Sequence, residues 1–280
     1  MSRVYRALEK AEKEKQQKMM KEEPIFEIFK DESFATKEEP VIKDLEEGVE
    51  KIVFPLKKDD SILIAPLNTF AAEQFRKLKT HIFRGSPHPP RSILITSTVP
   101  QEGKTVVTMN LAMAISQEIH KRIILIDADL RKPSIYPEKY THRKGLSDYL
   151  ANQTPMGEIM ANFEAEKFMI IPAGKPSPKA AELIGSKKMK DLLRDLREFS
   201  EDTYILIDSP PIISASEPLL LSEWVDGVIL VVMPDRAPKG SIRKAVDSIG
   251  RQKILGVVFN QKDVKPSKHY SDYYYRYYKE

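Results

Sequence analysis

The chain has 280 residues, 41% hydrophobic and 31% charged, with a formal net charge of +4. That is enough for one sizeable α/β domain with extensions, and the charge is too nearly balanced to argue for nucleic acid by itself. There is no cysteine, which excludes disulfides, thiolate metal sites and thiol catalysis, and no apolar run reaches the roughly 20 residues of a bilayer span, so a soluble cytoplasmic protein is expected.

Residues 1–60 read as a charged arm, partly helical or disordered. Ser2 is placed to cap a helix carrying Val4, Leu8 and Ala11 at three- and four-residue spacing. Lys and Glu then dominate to Glu23, and apolar pieces such as Ile25-Phe26 and Ile52-Val53-Phe54 interrupt the charge further on. These pieces suit docking segments, and a solvated tail is the plainer alternative. Residues 71–83 predict a helix with Phe75, Leu78 and Ile82 on one face, ended by the turn-rich 85–90.

Strands and helices then alternate. Short apolar runs predict strands at 93–96, 123–126, 168–171, 204–207, 228–232 and 255–259. Helices are expected from Lys104 to about Glu118, from Ser186 to about Phe199, and near 241–249. Continuous apolar strands are buried on both faces. The fold class is therefore α/β, a doubly wound, mostly parallel sheet with helices on both faces, spanning 61–262. Residues 263–280 form a tail. It holds Tyr270, Tyr273, Tyr274, Tyr275, Tyr277 and Tyr278, more than half of the chain's eleven tyrosines.

Thr98-Val99-Pro100-Gln101-Glu102-Gly103-Lys104-Thr105 lies between a predicted strand and a predicted helix, the context of a phosphate-binding loop. Backbone N–H groups at a helix N-terminus point at phosphate oxygens, and the helix dipole favours their charge. The cradle would comprise Pro100, Gln101, Glu102, Gly103, Lys104, Thr105 and Val106. Lys104 brings a cation to the β and γ phosphates, and the Thr105 hydroxyl suits Mg2+. The loop departs from the common pattern with Thr98 in place of a first glycine and Pro-Gln-Glu in its interior. A chance Gly-Lys-Thr at a helix start is the alternative.

Two further strands end in carboxylates: Ile124-Leu125-Ile126-Asp127-Ala128-Asp129 and Ile205-Leu206-Ile207-Asp208-Ser209-Pro210-Pro211. Ligands of parallel sheets sit beyond the carboxyl ends of strands. If these strands flank the loop strand, Asp127, Asp129 and Asp208 converge on the phosphates, where they can hold Mg2+ or accept a proton. Each Asp alone is equally a helix cap or turn residue. No Gly-x-Gly-x-x-Gly follows any strand, so a dinucleotide site is excluded. The five histidines form no metal-ligand pattern, Trp224 reads as packing, and 175–179 reads as a surface loop.

Together the motifs resemble the bacterial tyrosine kinase family, P-loop kinases of capsule and exopolysaccharide systems. The resemblance runs from about Asp60 to the C-terminus. It rests on the variant loop 98–105, on Leu125-Ile126-Asp127-Ala128-Asp129-Leu130-Arg131-Lys132-Pro133, on the strand end at Asp208-Ser209-Pro210-Pro211 and on the terminal tyrosines. Gly145-Leu146-Ser147-Asp148 and Ile171-Pro172-Ala173-Gly174 resemble family segments too. Related partition ATPases carry an extra lysine where Val99 stands. The resemblance implies an ATP- and Mg2+-dependent autokinase. Its catalytic residues would be Lys104, Asp127, Asp129 and Asp208, with Thr105, Asp127 and Asp208 on the metal and Asp129 orienting or deprotonating the tyrosine. Arg131 would pair with a neighbouring subunit's carboxylate or with phosphate. The family's Glu-x-x-Arg-x-x-Arg self-association helix corresponds to Glu73, Arg76 and Lys79, the last a departure from Arg.

The resemblance further implies a homo-oligomeric ring when unphosphorylated, with the tail tyrosines as acceptors. It implies a membrane-anchored polysaccharide co-polymerase as activator, placing the chain at the inner face of the plasma membrane, and a cognate tyrosine phosphatase. No nucleic-acid partner is expected. A partition-type ATPase switch and a non-catalytic nucleotide-binding regulator stand as alternatives. For the tail, a packed aromatic strand and a base-stacking segment remain open.

Overall fold

Residues 50–52, 65, 69–84, 88–118, 121–135, 144–163 and 168–260 are described by the computed structural model. The chain divides into two units, Met1–Pro40 and Val41–Glu280, and every described residue lies in the second. The expected N-terminal helix and all six tail tyrosines lie outside the described residues.

The strands are β1 (Glu50–Ile52), β2 (Ser92–Ser97), β3 (Arg122–Asp127), β4 (Ala161–Phe163), β5 (Phe168–Ile171), β6 (Thr203–Asp208), β7 (Gly227–Val232) and β8 (Ile254–Phe259). They form one sheet in the order β1-β4-β5-β3-β6-β2-β7-β8. Neighbours pair in parallel except β4 and β5, which are antiparallel. The helices are α1 (Phe70–Arg84), α2 (Lys104–Ser116), α3 (Leu146–Leu150), α4 (Ala180–Ile184), α5 (Lys187–Glu198), α6 (Glu217–Trp224) and α7 (Lys239–Ile249). The doubly wound expectation therefore holds. The sheet also takes in β1, which comes from the stretch read as an arm.

The two-residue period of a strand sorts its side chains between two cores. Ile93, Ile95, Ile123, Leu125, Tyr204 and Leu206 face one way, where α2 contributes Val107, Met109, Leu111 and Ile115. Leu94, Ile124, Ile126, Ile205 and Ile207 face the other, where α5 contributes Met189, Leu192, Leu193 and Leu196. Those four α5 residues recur at helical spacing, and the Ser186 hydroxyl caps the helix by accepting the Met189 N–H at 3.2 Å. Outside α2 lies α1, which sets Phe75, Leu78, Ile82 and Phe83 against the same core. That is the predicted face. Trp224 packs at the rim of the second core, as expected.

The strand order explains the site. β2 sits between β6 and β7, and β3 lies just beyond β6. Three chain segments thus leave adjacent strands at the same, carboxyl edge of the sheet: the loop before α2, the loop after β3 and the loop after β6.

Candidate active site

Gly103 precedes α2 with φ of 88°, a left-handed conformation that only glycine adopts cheaply. A Cβ there would also run into the Asn260 side-chain amide at the end of β8. Asn260 Nδ2 donates to the Glu102 carbonyl at 2.9 Å. Gln101 takes a positive φ of 63° without being glycine, and its side-chain oxygen accepts a hydrogen bond from Arg236.

Glu102 is fully buried. Its carboxylate accepts the Val99 N–H at 2.8 Å and the Met233 N–H at 3.2 Å, fastening the loop to the end of β7. The Glu102 side chain is thus committed to bracing the loop, and any role in the phosphate cradle falls to its backbone. A loop short of glycine keeps its shape through three side chains: Glu102, Asn260 and Arg236.

Lys104 and Thr105 open α2. The Thr105 hydroxyl donates to Asp208 Oδ2 at 2.6 Å and lies 2.8 Å from the Ser134 hydroxyl. Thr108, one turn on, lies 3.4 Å from Asp208 Oδ1. β3 and β6 pair so that Asp127 stands directly opposite Asp208. Asp127 is held by the N–H groups of Asp129 at 3.1 Å and of Ser134 and Ile135 at 3.2 Å each. The Asp129 Oδ1 atom accepts the Lys132 N–H at 3.0 Å, and its Oδ2 lies 3.5 Å from Lys104 Nζ. The structure therefore brings Lys104, Thr105, Asp127, Asp129 and Asp208 together.

Burial, followed by the charge of Asp208, pushes Asp127 up to about 7. Burial likewise raises Asp208 to about 6, against the pull of Lys104 and the Thr105 hydrogen bond. Two neighbouring carboxylates that resist ionisation, with a threonine hydroxyl beside them, form a hard-oxygen donor set. No group of three or more His, Asp or Glu among the described residues cages a metal by itself. The set fits Mg2+, which takes one or two carboxylates and completes its shell with phosphate oxygens and water.

The residues expected to mediate self-association have ion-pair partners within the chain. Arg76 Nε meets Glu73 Oε2 at 2.6 Å, and Lys79 Nζ meets Glu118 Oε1 at 2.9 Å. Arg131, expected to pair with a neighbouring subunit's carboxylate or with phosphate, meets Glu217 of its own chain at 2.8 Å. Sequence reasoning missed Ser134, Glu217 and Asn260. Ser134 follows the Asp129 motif closely enough to have been suspected. Nothing local marks the other two.

Fold and site define a P-loop nucleoside triphosphatase. Residues 90–276 match the family model described as "ParA: NUBPL iron-transfer P-loop NTPase". The chain is 32% identical over 208 residues to tyrosine-protein kinase YwqD of Bacillus subtilis (strain 168), across 73% of this chain and 85% of that one. It is 29% identical over 210 residues to putative tyrosine-protein kinase CapB of Staphylococcus aureus, across 74% and 90%. The solved chimerical protein CapA2B2 superposes with a TM-score of 0.65 at 28% identity, over 79% of this chain and 98% of that one. Within the ParA-type class, the chain belongs to the bacterial tyrosine kinase family. No helix among the described residues is long and apolar enough to cross a membrane.

Proposed function

We propose that the chain is an ATP-dependent protein-tyrosine autokinase whose acceptors are its own terminal tyrosines, and that this phosphorylation regulates polymerisation and export of a capsule or exopolysaccharide. One observation carries the mechanism. Lys104 Nζ lies 3.5 Å from Asp129 Oδ2, which supports reading Lys104 as the phosphate-binding cation and Asp129 as the proton acceptor beside the group it holds.

The backbone of 100–106 and the α2 N-terminus bind the phosphates. Lys104 stabilises the charge that spreads over the transferring group. Thr105, Asp208 and Asp127 are the residues that would hold Mg2+, directly or through water. The ion, when bound, neutralises charge on the β and γ phosphates. Asp129 orients the tyrosine hydroxyl and takes its proton. The phenolic oxygen forms a bond to the γ-phosphorus, the bond from that phosphorus to the β-phosphate oxygen breaks, and ADP leaves.

A membrane-anchored polysaccharide co-polymerase is the proposed activator, which would hold the chain at the inner face of the plasma membrane. A cognate tyrosine phosphatase resets the tail. Self-association through Glu73, Arg76 and Lys79 brings one subunit's tail to another's site.

Labelled ATP and Mg2+, with and without the activator's cytoplasmic segment, should place phosphotyrosine on the tail by mass spectrometry. Lys104→Met should lower labelling by about a hundredfold or more. ATP hydrolysis without tyrosine label, activator present, would point instead to a partition-type switch.

A further inference from the structure

The loop that carries Asp129 is pinned just beyond it. Leu130 is buried in the core on the α5 face, and its carbonyl accepts the Ser177 N–H at 2.9 Å. Arg131 is about half exposed, and its Nε donates to Glu217 Oε1 at 2.8 Å. Glu217 opens α6 and is fully buried, and its other oxygen has no hydrogen-bond partner among the described residues. The pair ties the loop after β3, which carries Asp129, to the segment that follows Asp208 at the end of β6.

A buried carboxylate with a single partner is a poor stabilising device, because an apolar pair of the same shape avoids the cost of desolvating it. The pair therefore points to a role other than stability. The Arg131 guanidinium also lies in the field of Glu182 and Asp129. Released from Glu217, it has those two carboxylates as alternative partners, and Asp129 is only two residues away.

We infer that Glu217 is a positioning residue for phosphoryl transfer: by holding Arg131 it keeps the guanidinium off Asp129 and leaves that carboxylate beside Lys104. The inference rests on the reading of Asp129 as the proton acceptor. It assigns Glu217 no contact with substrate.

The test compares full-length Asp129→Asn, Glu217→Gln and the double variant Glu217→Gln/Arg131→Met in steady-state tyrosine phosphorylation with Mg–ATP, alongside thermal melting. Glu217→Gln keeps the shape and removes the charge. Its kcat should fall by about tenfold to a hundredfold, as for a displaced catalytic group, while KM for ATP stays within about twofold because the phosphate cradle is untouched. The double variant should recover most of kcat, since no guanidinium remains to occupy Asp129. A merely structural ion pair predicts the opposite, with no recovery in the double variant and loss that tracks melting temperature. That result, or wild-type kcat in Glu217→Gln, overturns the inference. If Asp129→Asn itself keeps tyrosine transfer, the reading of Asp129 fails and the inference falls with it. If Asp129→Asn is inactive and the double variant is not rescued, the Glu217 inference alone is lost.

Discussion

Asp127 and Asp208 face each other at the ends of paired strands, and both are acids whose ionisation the fold opposes. The sign of the linkage follows from raised folded pKa values. Their contribution to stability is fully present below the ordinary carboxylate value of about 4. It is lost as pH rises through about 6 for Asp208 and about 7 for Asp127. Metal-free protein should therefore melt lower at about pH 8 than at about pH 5. Mg–nucleotide should raise the melting temperature more at the higher pH, where two carboxylates await a cation. Equal stabilisation at both values would show that these acids are not the metal's ligands. Glu102 makes a separate prediction at the same scale. As glutamine it retains one acceptor oxygen for two N–H donors, and an unsatisfied buried donor costs about 1–3 kcal/mol. Denaturant titration of Glu102→Gln should show that loss, together with weaker ATP binding as the loop relaxes.

At the scale of elements, α1 reads two ways. Its apolar face, Phe75, Leu78 and Ile82, belongs to the core. Its charged residues Glu73 and Arg76 pair with each other. A subunit partner of Arg76 must compete with Glu73 for the guanidinium. Arg76→Ala should turn the unphosphorylated assembly into monomer by light scattering without changing the melting temperature much; an unchanged assembly mass would reject the role. The elements also show what a sequence can disclose. Strands buried on both faces read as apolar runs, and the apolar face of α1 is plain from spacing, whereas α5 is legible as a helix and its buried face emerges from the structure. The five-residue helices α3 and α4 and the three-residue β4 are too short to display a period, and α6 begins only a few residues beyond Pro210-Pro211. Lys104, Thr105 and the three aspartates were legible because each sits at a strand or helix end with a chemical signature. The brace of Glu102 on Met233 and the pairing of Arg131 with Glu217 join distant residues, and no local pattern encodes a contact of that kind.

For the molecule as a whole, the prediction concerns assembly. Each phosphate adds about −1.5 to −2 charges, and several on one short tail repel each other and any acidic neighbour. Incubation with Mg–ATP should therefore dissolve the proposed oligomer, as read by sedimentation. A variant with all six tail tyrosines replaced by phenylalanine should remain assembled. Dissociation of that variant on adding ATP would assign the effect to nucleotide binding alone. The sheet sets a further condition. Asp127 and Asp208 end β3 and β6 in matched register, and side chains along a strand alternate between faces. Deleting one residue from β3 would leave its apolar composition almost intact, yet it would exchange the two cores' residues and turn the terminal carboxylate away from its neighbour. Insertion–deletion scanning should find these two strands intolerant of any change in length, however conservative the residue removed.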